Sequence, residues 1–309
     1  MIIMDNAYDK TPEGYVVVIG GANVDMLGVP FVSLSKRDSA PGKLSISSGG
    51  VGRNVTENLA RLGVPVKFVT AFGNDANGAK LKKELEDLGA DLSLSLTVEE
   101  EITSTYICLS DEHGEMQYAL SDMRILDRLD EKFFSDKFDV INNAECVVLD
   151  TNLGDILGYL VGRITAPIFL DTVSAQKTKK CKNYVKDLYF VKPNVVEAEA
   201  LLNVKIETDE DVRNAGEKIL SLGNKNVIIS LGKKGAYYTD GENEGFLTNG
   251  KVPVVSTTGA GDAFMSAVIY GYLRGLSLEE CARLGLKASK ITVSDANTVS
   301  KNIIKLKNS

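Results

Sequence analysis

Ser256-Thr257-Thr258-Gly259-Ala260-Gly261-Asp262-Ala263-Phe264 follows the apolar run Val252-Pro253-Val254-Val255 and precedes a long amphipathic pattern. The order reads as strand, glycine turn, carboxylate and helix. Small residues let a backbone approach a ligand closely, and the unsatisfied N–H groups of a helix start, reinforced by its dipole, attract an oxyanion or phosphate. A carboxylate at the end of such a nest is placed to take a proton from a hydroxyl while the amides hold the charge building on a transferred group. The competing reading is a tight turn followed by an ordinary first-turn aspartate, and on this string alone the two weigh equally.

Working outward, the chain alternates buried-strand runs with helical patterns, as a doubly wound parallel sheet does. Tyr15-Val16-Val17-Val18-Ile19 ends in Gly20-Gly21-Ala22-Asn23-Val24-Asp25. The glycine spacing does not match a dinucleotide fingerprint, so Asn23 and Asp25 are read as presented at the carboxyl end of a strand, Asp25 placed to accept from vicinal hydroxyls, the competing reading being a turn aspartate satisfied by backbone N–H groups. Ser47-Ser48-Gly49-Gly50-Val51-Gly52-Arg53-Asn54 opens a helix with Val55, Leu59 and Leu62 at helical spacing before Gly63. Further strands are expected at 66–70, 146–150, 168–171, 188–191 and 227–231, and helices at 78–88, 153–163, 260–274 and 278–295. Lys192-Pro193-Asn194-Val195-Val196-Glu197 begins another helix: Asn194 and Glu197, three apart, suit a water-coordinated Mg²⁺ near phosphates, or an ordinary capping box. Gly232 and Gly235 line a nucleotide or simply make a turn.

Two extended stretches interrupt this alternation, 29–48 and the pair 103–109 and 115–120, joined by a turn containing His113 and Gly114. They read as a small β-sheet standing off the core, suited to act as a lid and to pair with its copy in a homodimer. Residues 1–13 are polar and expected to be poorly ordered or to wrap the surface.

The 309 residues, 44% hydrophobic and 25% charged, are ordinary for a globular protein. A net charge of −7 argues against a nucleic-acid or anionic-membrane surface. Four scattered cysteines point to reduced thiols and a cytoplasmic protein, and the single histidine excludes histidine triads and multi-histidine metal sites, leaving carboxylate chemistry. No signal-peptide pattern and no membrane-spanning apolar run is visible.

The order of these pieces resembles the ribokinase-like (PfkB) family of carbohydrate and nucleoside kinases along nearly the whole chain. Gly49-Gly50-Val51-Gly52-Arg53-Asn54 and Thr258-Gly259-Ala260-Gly261-Asp262-Ala263-Phe264 carry the likeness, with Gly21-Ala22-Asn23-Val24-Asp25, the Lys192 to Glu197 box and Ser230-Leu231-Gly232-Lys233-Lys234-Gly235 in the expected order. The resemblance implies a three-layer α/β/α sandwich with a mostly parallel central sheet, its core formed by 14–28, 49–101 and 122–309, and a β-sheet lid formed by 29–48 and 102–121. It implies Asp262 as catalytic base and the amides of Gly259, Ala260 and Gly261 as anion hole. Asn23, Asp25, Gly49, Gly50 and Asn54 would hold a ribose, while Thr105 and Asp122 meet the base. ATP would lie along Asn194, Ser230, Gly232, Gly235, Thr258 and Asn297, with Mg²⁺ ordered through water by Asn194 and Glu197.

Pro41-Gly42-Lys43, Thr103-Ser104-Thr105-Tyr106, Gly114-Glu115-Met116, Ser121-Asp122-Met123 and Asp171-Thr172-Val173-Ser174-Ala175 with Lys177 resemble the pseudouridine-phosphorylating branch. Another nucleoside or sugar (uridine, adenosine, ribose) is the alternative substrate, and a non-catalytic nucleoside or sugar-phosphate sensor the alternative class. Many relatives carry an aspartate at the position of Ser256 that helps bind a monovalent cation, so activation by K⁺ would here rely on neutral oxygens.

Overall fold

The computed structural model describes residues 14–113, 115–250 and 252–308; the expectations for residues 1–13 and for Gly114 lie outside them. In chain order the strands are β1 (Val16–Ile19), β2 (Asn23–Pro30), β3 (Gly42–Gly49), β4 (Val66–Val69), β5 (Ala71–Gly73), β6 (Leu96–Val98), β7 (Thr105–Ser110), β8 (Met116–Asp122), β9 (Cys146–Asp150), β10 (Ile168–Asp171), β11 (Phe190–Lys192), β12 (Asn226–Ser230), β13 (Gly235–Thr239) and β14 (Glu244–Thr248). The helices are α1 (Val51–Arg61), α2 (Ala76–Glu86), α3 (Glu131–Phe134), α4 (Phe138–Asn142), α5 (Ile156–Val161), α6 (Ala175–Cys181), α7 (Val195–Leu202), α8 (Asp209–Leu220), α9 (Ala260–Tyr272) and α10 (Leu278–Val293).

Eight strands form the central sheet in the order β14-β13-β12-β11-β10-β9-β1-β4. From β12 to β4 the pairs are parallel, and β13 and β14 add an antiparallel hairpin. The β1 run is apolar at every position because both faces are covered. Val16 and Val18 pack into a cluster with Val55, Leu59, Leu81, Ala263 and Val268, whereas Val17 and Ile19 pack against Leu157, Leu160, Ala198 and Ile219 on the other side. Helices α1, α2, α9 and α10 thus cover one face and α3 to α8 the other, the ribokinase-like three-layer arrangement. Each fully buried Val, Leu or Ile contributes about 1.5–3 kcal/mol of transfer free energy.

The second sheet has the order β3-β2-β7-β8. It begins earlier than residue 29: Asn23 and Asp25 lie on β2, paired with Gly49 and Ser47, and are not in a turn. A second correction concerns 252–255. This apolar run forms no strand, since Pro253 has no N–H and the amides of Val255 and Ser256 both donate to the Val293 carbonyl at the end of α10, at 2.7 and 3.3 Å. The helix expected at 153–163 is interrupted: a 3₁₀ turn, Thr151–Leu153, ends at Gly154 with φ 60°, and α5 starts beyond it.

Candidate active site

Three adjacent parallel strands end in charged residues at one level. Asp150 on β9 is level with Asp171 on β10, and Asp171 with Lys192 on β11. The carboxyl ends of such strands are where open α/β sheets bind ligands. All three side chains are buried, so each requires partners. Lys192 Nζ lies 3.3 Å from Asp171 Oδ2. Burial pulls the ammonium toward neutrality, but Asp171, Glu197 and Asp262 outweigh it and hold the lysine above its ordinary pKa.

Asp150 accepts the backbone N–H groups of Gly21 at 2.9 Å, Gly52 at 3.0 Å and Asn152 at 2.8 Å. One carboxylate therefore ties the turn after β1 to the first turn of α1. Burial nonetheless pushes its pKa up. Gly50, the cap of α1, has φ 98°, and a Cβ there would lie 2.4 Å from the Gly21 carbonyl oxygen. Only glycine permits this approach.

The tie brings β2 against α1. Asn23 Nδ2 donates to Asp25 Oδ1 at 2.6 Å, and Gly49 leaves room for the Asp25 carboxylate, which a Cβ would meet at 2.1 Å. Burial raises the Asp25 pKa, opposed by the Asn23 amide and the charge of Arg53. Asn54 Nδ2 donates to Asp262 Oδ2 at 2.7 Å, across 208 residues of sequence. Asn23, Asp25, Gly49, Gly50, Asn54 and Asp262 are thus brought to one site.

Thr105 and Asp122 take a different place. Side chains alternate across a sheet, so the face carrying Asp25 also carries its partner Tyr106 and, opposite that, Ser121. Thr105 and Asp122 pair with each other on the opposite face. Asp122 is ion-paired with Arg124 at 2.7 Å, whose hydrogen bonds hold its carboxyl down at about 2. Thr105 and Asp122, expected at the base, therefore lie on the face away from Asp25, and Tyr106 and Ser121 lie on the Asp25 face.

At the start of α9, Gly259 caps the helix with φ 80° and Asp262 stands in its first turn. Burial pushes the Asp262 carboxyl up to about 7, with Asp171 and Asp150 adding to the rise and Asn54 and Lys192 opposing it. A Cβ on Gly261 would lie 3.5 Å from Lys192 Nζ, so the buried lysine sits directly beneath the nest. Lys192 was missed in the sequence; its signal was a lysine closing the apolar run Phe190-Val191. Ser256 Oγ accepts the Thr258 N–H at 3.2 Å, bracing the loop without a charge.

Asn194 and Glu197 form the capping box of α7: Asn194 Oδ1 accepts from Glu197 N, and Glu197 Oε2 accepts from Asn194 N, both at 2.9 Å. Thr172 Oγ1 also donates to Glu197 Oε2, at 2.6 Å. Cap and metal roles are compatible here, since Oε1 takes none of these bonds and can receive a water of a Mg²⁺ shell. Asn194 retains Nδ2, a donor suited to a phosphate oxygen and unsuited to a cation. Among the described residues no group of three or more His, Cys, Asp or Glu is placed to hold a metal by itself. Ser230 is bridged to Asn194, and Gly232 and Gly235 bound the 3₁₀ turn between β12 and β13, with open space at Gly232. Asn297 donates its amide to Asp295 at 3.0 Å and lines a groove of about 590 Å³ with Ser48, Arg53, Glu57 and Thr298, the residue whose carbonyl lies against Gly259.

The sequence pattern of the pfkB family of carbohydrate kinases matches residues 13–305. Among characterised relatives, the pseudouridine kinase of Escherichia coli (strain K12) is 34% identical over 91% of this chain and 90% of its own. The guanosine-inosine kinase of Exiguobacterium acetylicum is 28% identical over 91% of this chain and 95% of its own. Among solved structures, a putative sugar kinase from Clostridium perfringens superposes with a TM-score of 0.85 at 34% identity, covering 96% of both chains. The ribokinase of Arabidopsis thaliana, complexed with ribose and ATP, superposes with a TM-score of 0.81 at 23% identity, covering 96% of this chain and 99% of that one, and shares the fold.

Proposed function

Because the chain belongs to the pfkB family of carbohydrate kinases and its relatives are ATP-dependent phosphotransferases, we propose that it transfers the γ-phosphoryl group of ATP to the 5′-hydroxyl of pseudouridine, giving pseudouridine 5′-phosphate and ADP. The observation that carries the reading is the 2.7 Å bond between Asn54 and a buried Asp262 at the start of α9. A carboxyl whose pKa is raised to about 7, in the first turn of a helix that opens on Gly259-Ala260-Gly261, suits a general base beside an anion hole.

Asp25, with Asn23, Gly50 and Asn54, receives the ribose hydroxyls. Asp262 removes the 5′-hydroxyl proton as that oxygen attacks the γ-phosphorus and the bond to the ADP oxygen breaks. The amides of 259–261 and the Lys192 ammonium below them balance the charge on the transferring group. Mg²⁺, held through water by Glu197, would supply further charge neutralisation at the phosphates. The pseudouridine assignment is supported by the 34% identity to a pseudouridine kinase, and the nucleoside base is met by the lid face of Tyr106 and Ser121. A homodimer through the lid, K⁺ activation only through neutral oxygens given Ser256, and a cytoplasmic location given four unpaired thiols belong to the same proposal. Among the described residues no helix is long and apolar enough to cross a membrane.

The test is ADP release measured with pseudouridine, uridine, guanosine, adenosine and ribose, in K⁺ and in Na⁺. The highest kcat/KM is expected for pseudouridine. Turnover confined to another acceptor removes the substrate assignment and keeps the kinase.

A further inference from the structure

Arg53 has no role in the chemistry described above, yet it is almost wholly buried and touches the residue that touches the base. Its Nη1 donates to Asn54 Oδ1 at 3.1 Å and to the Ser48 carbonyl at 3.4 Å. Its Nη2 pairs with Glu57, one turn on along α1, and with Glu84 of α2 at 3.3 Å. Two carboxylates thus hold the guanidinium with its other edge turned to Asn54. A guanidinium only donates, so the atom of Asn54 that faces it must be the carbonyl oxygen. The amide nitrogen is then turned the other way, to Asp262 Oδ2 at 2.7 Å.

We infer that Arg53 is a positioning residue for the base: it fixes the amide orientation of Asn54 so that Asp262 always meets a donor and never a carbonyl oxygen. The inference rests on reading Asp262 as the base. A donor stabilises the ionised carboxylate, whereas a flipped amide would aim an oxygen at it and favour the protonated form. The other groups acting on Asp262 are Asp171 and Asp150, which favour its protonated form, and Lys192, which opposes them. All three stand on strand ends of the central sheet, and none of them is a hydrogen-bond or ion-pair partner of Arg53, whose partners are Ser48, Asn54, Glu57 and Glu84. Arg53 also lowers the Asp25 pKa through its charge, so one guanidinium serves both carboxylates of the acceptor side.

The experiment compares the wild type with Arg53→Met and Arg53→Lys. The pH profile of kcat/KM reports groups of the free enzyme, the state in which this contact is seen. In Arg53→Met the acid limb should move up by about one pH unit, the size expected for losing a hydrogen bond to a charged group. Turnover then falls about tenfold below the limb and stays within a few-fold above it. Arg53→Lys, which keeps one donor, should return most of the shift. In parallel, the Asp262 carboxyl is titrated by ¹³C NMR without substrate, its signal assigned from its absence in Asp262→Asn. An upward move in the Arg53→Met protein is expected there too. If Arg53→Met does not fold, Glu84→Gln, which loosens the guanidinium without removing it, should shift both readouts in the same direction by a few tenths of a unit. A folded variant whose acid limb and Asp262 titration coincide with the wild type overturns the inference. A wild type that phosphorylates none of the acceptors overturns the function instead, and the NMR titration still decides what Arg53 does.

Discussion

The Thr298 carbonyl oxygen occupies the space that a side chain on Gly259 would need: a Cβ there would lie 2.0 Å from it. Gly259 also has φ 80°, a conformation costly for any residue with a Cβ. The loop that follows α10 therefore presses on the first amide of the nest. Asp295 organises that loop by accepting the Asn297 N–H at 3.0 Å and the Ser300 hydroxyl at 2.6 Å. Gly259→Ala should move the nest off the phosphate position while the core around α9 stays folded. Turnover is expected to fall by about two to three orders of magnitude, the range for losing a preorganised oxyanion donor, with the circular-dichroism spectrum unchanged. Turnover within a few-fold of the wild type would remove 259–261 from the chemistry.

Asp262 makes a pH prediction with two independent readouts. Its carboxyl is pushed from 3.8 up to about 7, mainly by burial, so the acid limb of kcat/KM should lie near pH 7. The native pKa is above the unfolded one, so the group's contribution to stability is complete below about 3.8 and is lost as pH rises to about 7. Asp262→Asn abolishes the proton acceptor, and turnover should fall by about three orders of magnitude. The same substitution removes the charge penalty, so Tm should rise by a few degrees at alkaline pH. The gain should grow from pH ~4 to ~7 and then level off. Calorimetry across that range checks it; a Tm difference independent of pH would contradict a raised pKa.

Asn194 serves as a helix cap and as a candidate phosphate contact, and these separate by substitution. Serine caps a helix as well as asparagine does, whereas alanine costs about 1 kcal/mol. Asn194→Ser should therefore keep Tm within about a degree while raising the KM for Mg·ATP several-fold, because the hydroxyl does not reach as far as Nδ2. Asn194→Ala should lose on both counts. An Asn194→Ser enzyme with unchanged dependence on Mg·ATP would leave Asn194 as a cap alone.

The lid offers a prediction about assembly. Ile46, Met26, Ile107 and Leu120 form one cross-strand row, and Leu44, Gly28, Leu109 and Tyr118 the next, all on the face away from Asp25. Leu120 is 64% exposed and Tyr118 66%, so nothing among the described residues covers this apolar face. A second copy supplies it in the proposed dimer. Leu44→Glu with Leu120→Glu should convert a dimer to a monomer in light scattering, with Tm of the core little changed. A wild type that is monomeric at micromolar concentration would end the idea.

What was legible in the sequence was whatever repeats with a short period or depends on glycine. The β1 run, the spacing of Val55, Leu59 and Leu62, and the Asn194 capping box are local, and the structure keeps them. Residues whose meaning comes from a distant partner were not legible. Asp150 reads as the end of a strand, and only the fold shows it holding Gly21 and Gly52. Thr105 and Tyr106 are neighbours in the chain, and which of them faces Asp25 depends on the β2–β7 register, which one residue of slip reverses. Val252 to Val255 has strand composition, but the Val293 carbonyl takes the amides of Val255 and Ser256.

Lys192 belongs to this second group, and a pair of substitutions separates its two roles. It is buried among Asp171, Glu197 and Asp262, and it lies under Gly261. Lys192→Met leaves the buried carboxylates without their cation, which should cost about 3–5 kcal/mol of stability. Asp171 also accepts the Val173 N–H at 2.9 Å, so Asp171→Asn keeps that bond through its amide oxygen while removing a charge. The double variant Lys192→Met/Asp171→Asn should therefore regain much of the lost stability, because the remaining imbalance is smaller. Turnover should not return with it, since the transferring phosphoryl group still lacks the ammonium beneath the nest. Denaturant midpoints and kcat measured on the same three proteins decide the matter. Recovery of both together would make Lys192 a counter-ion for the strand ends and nothing more.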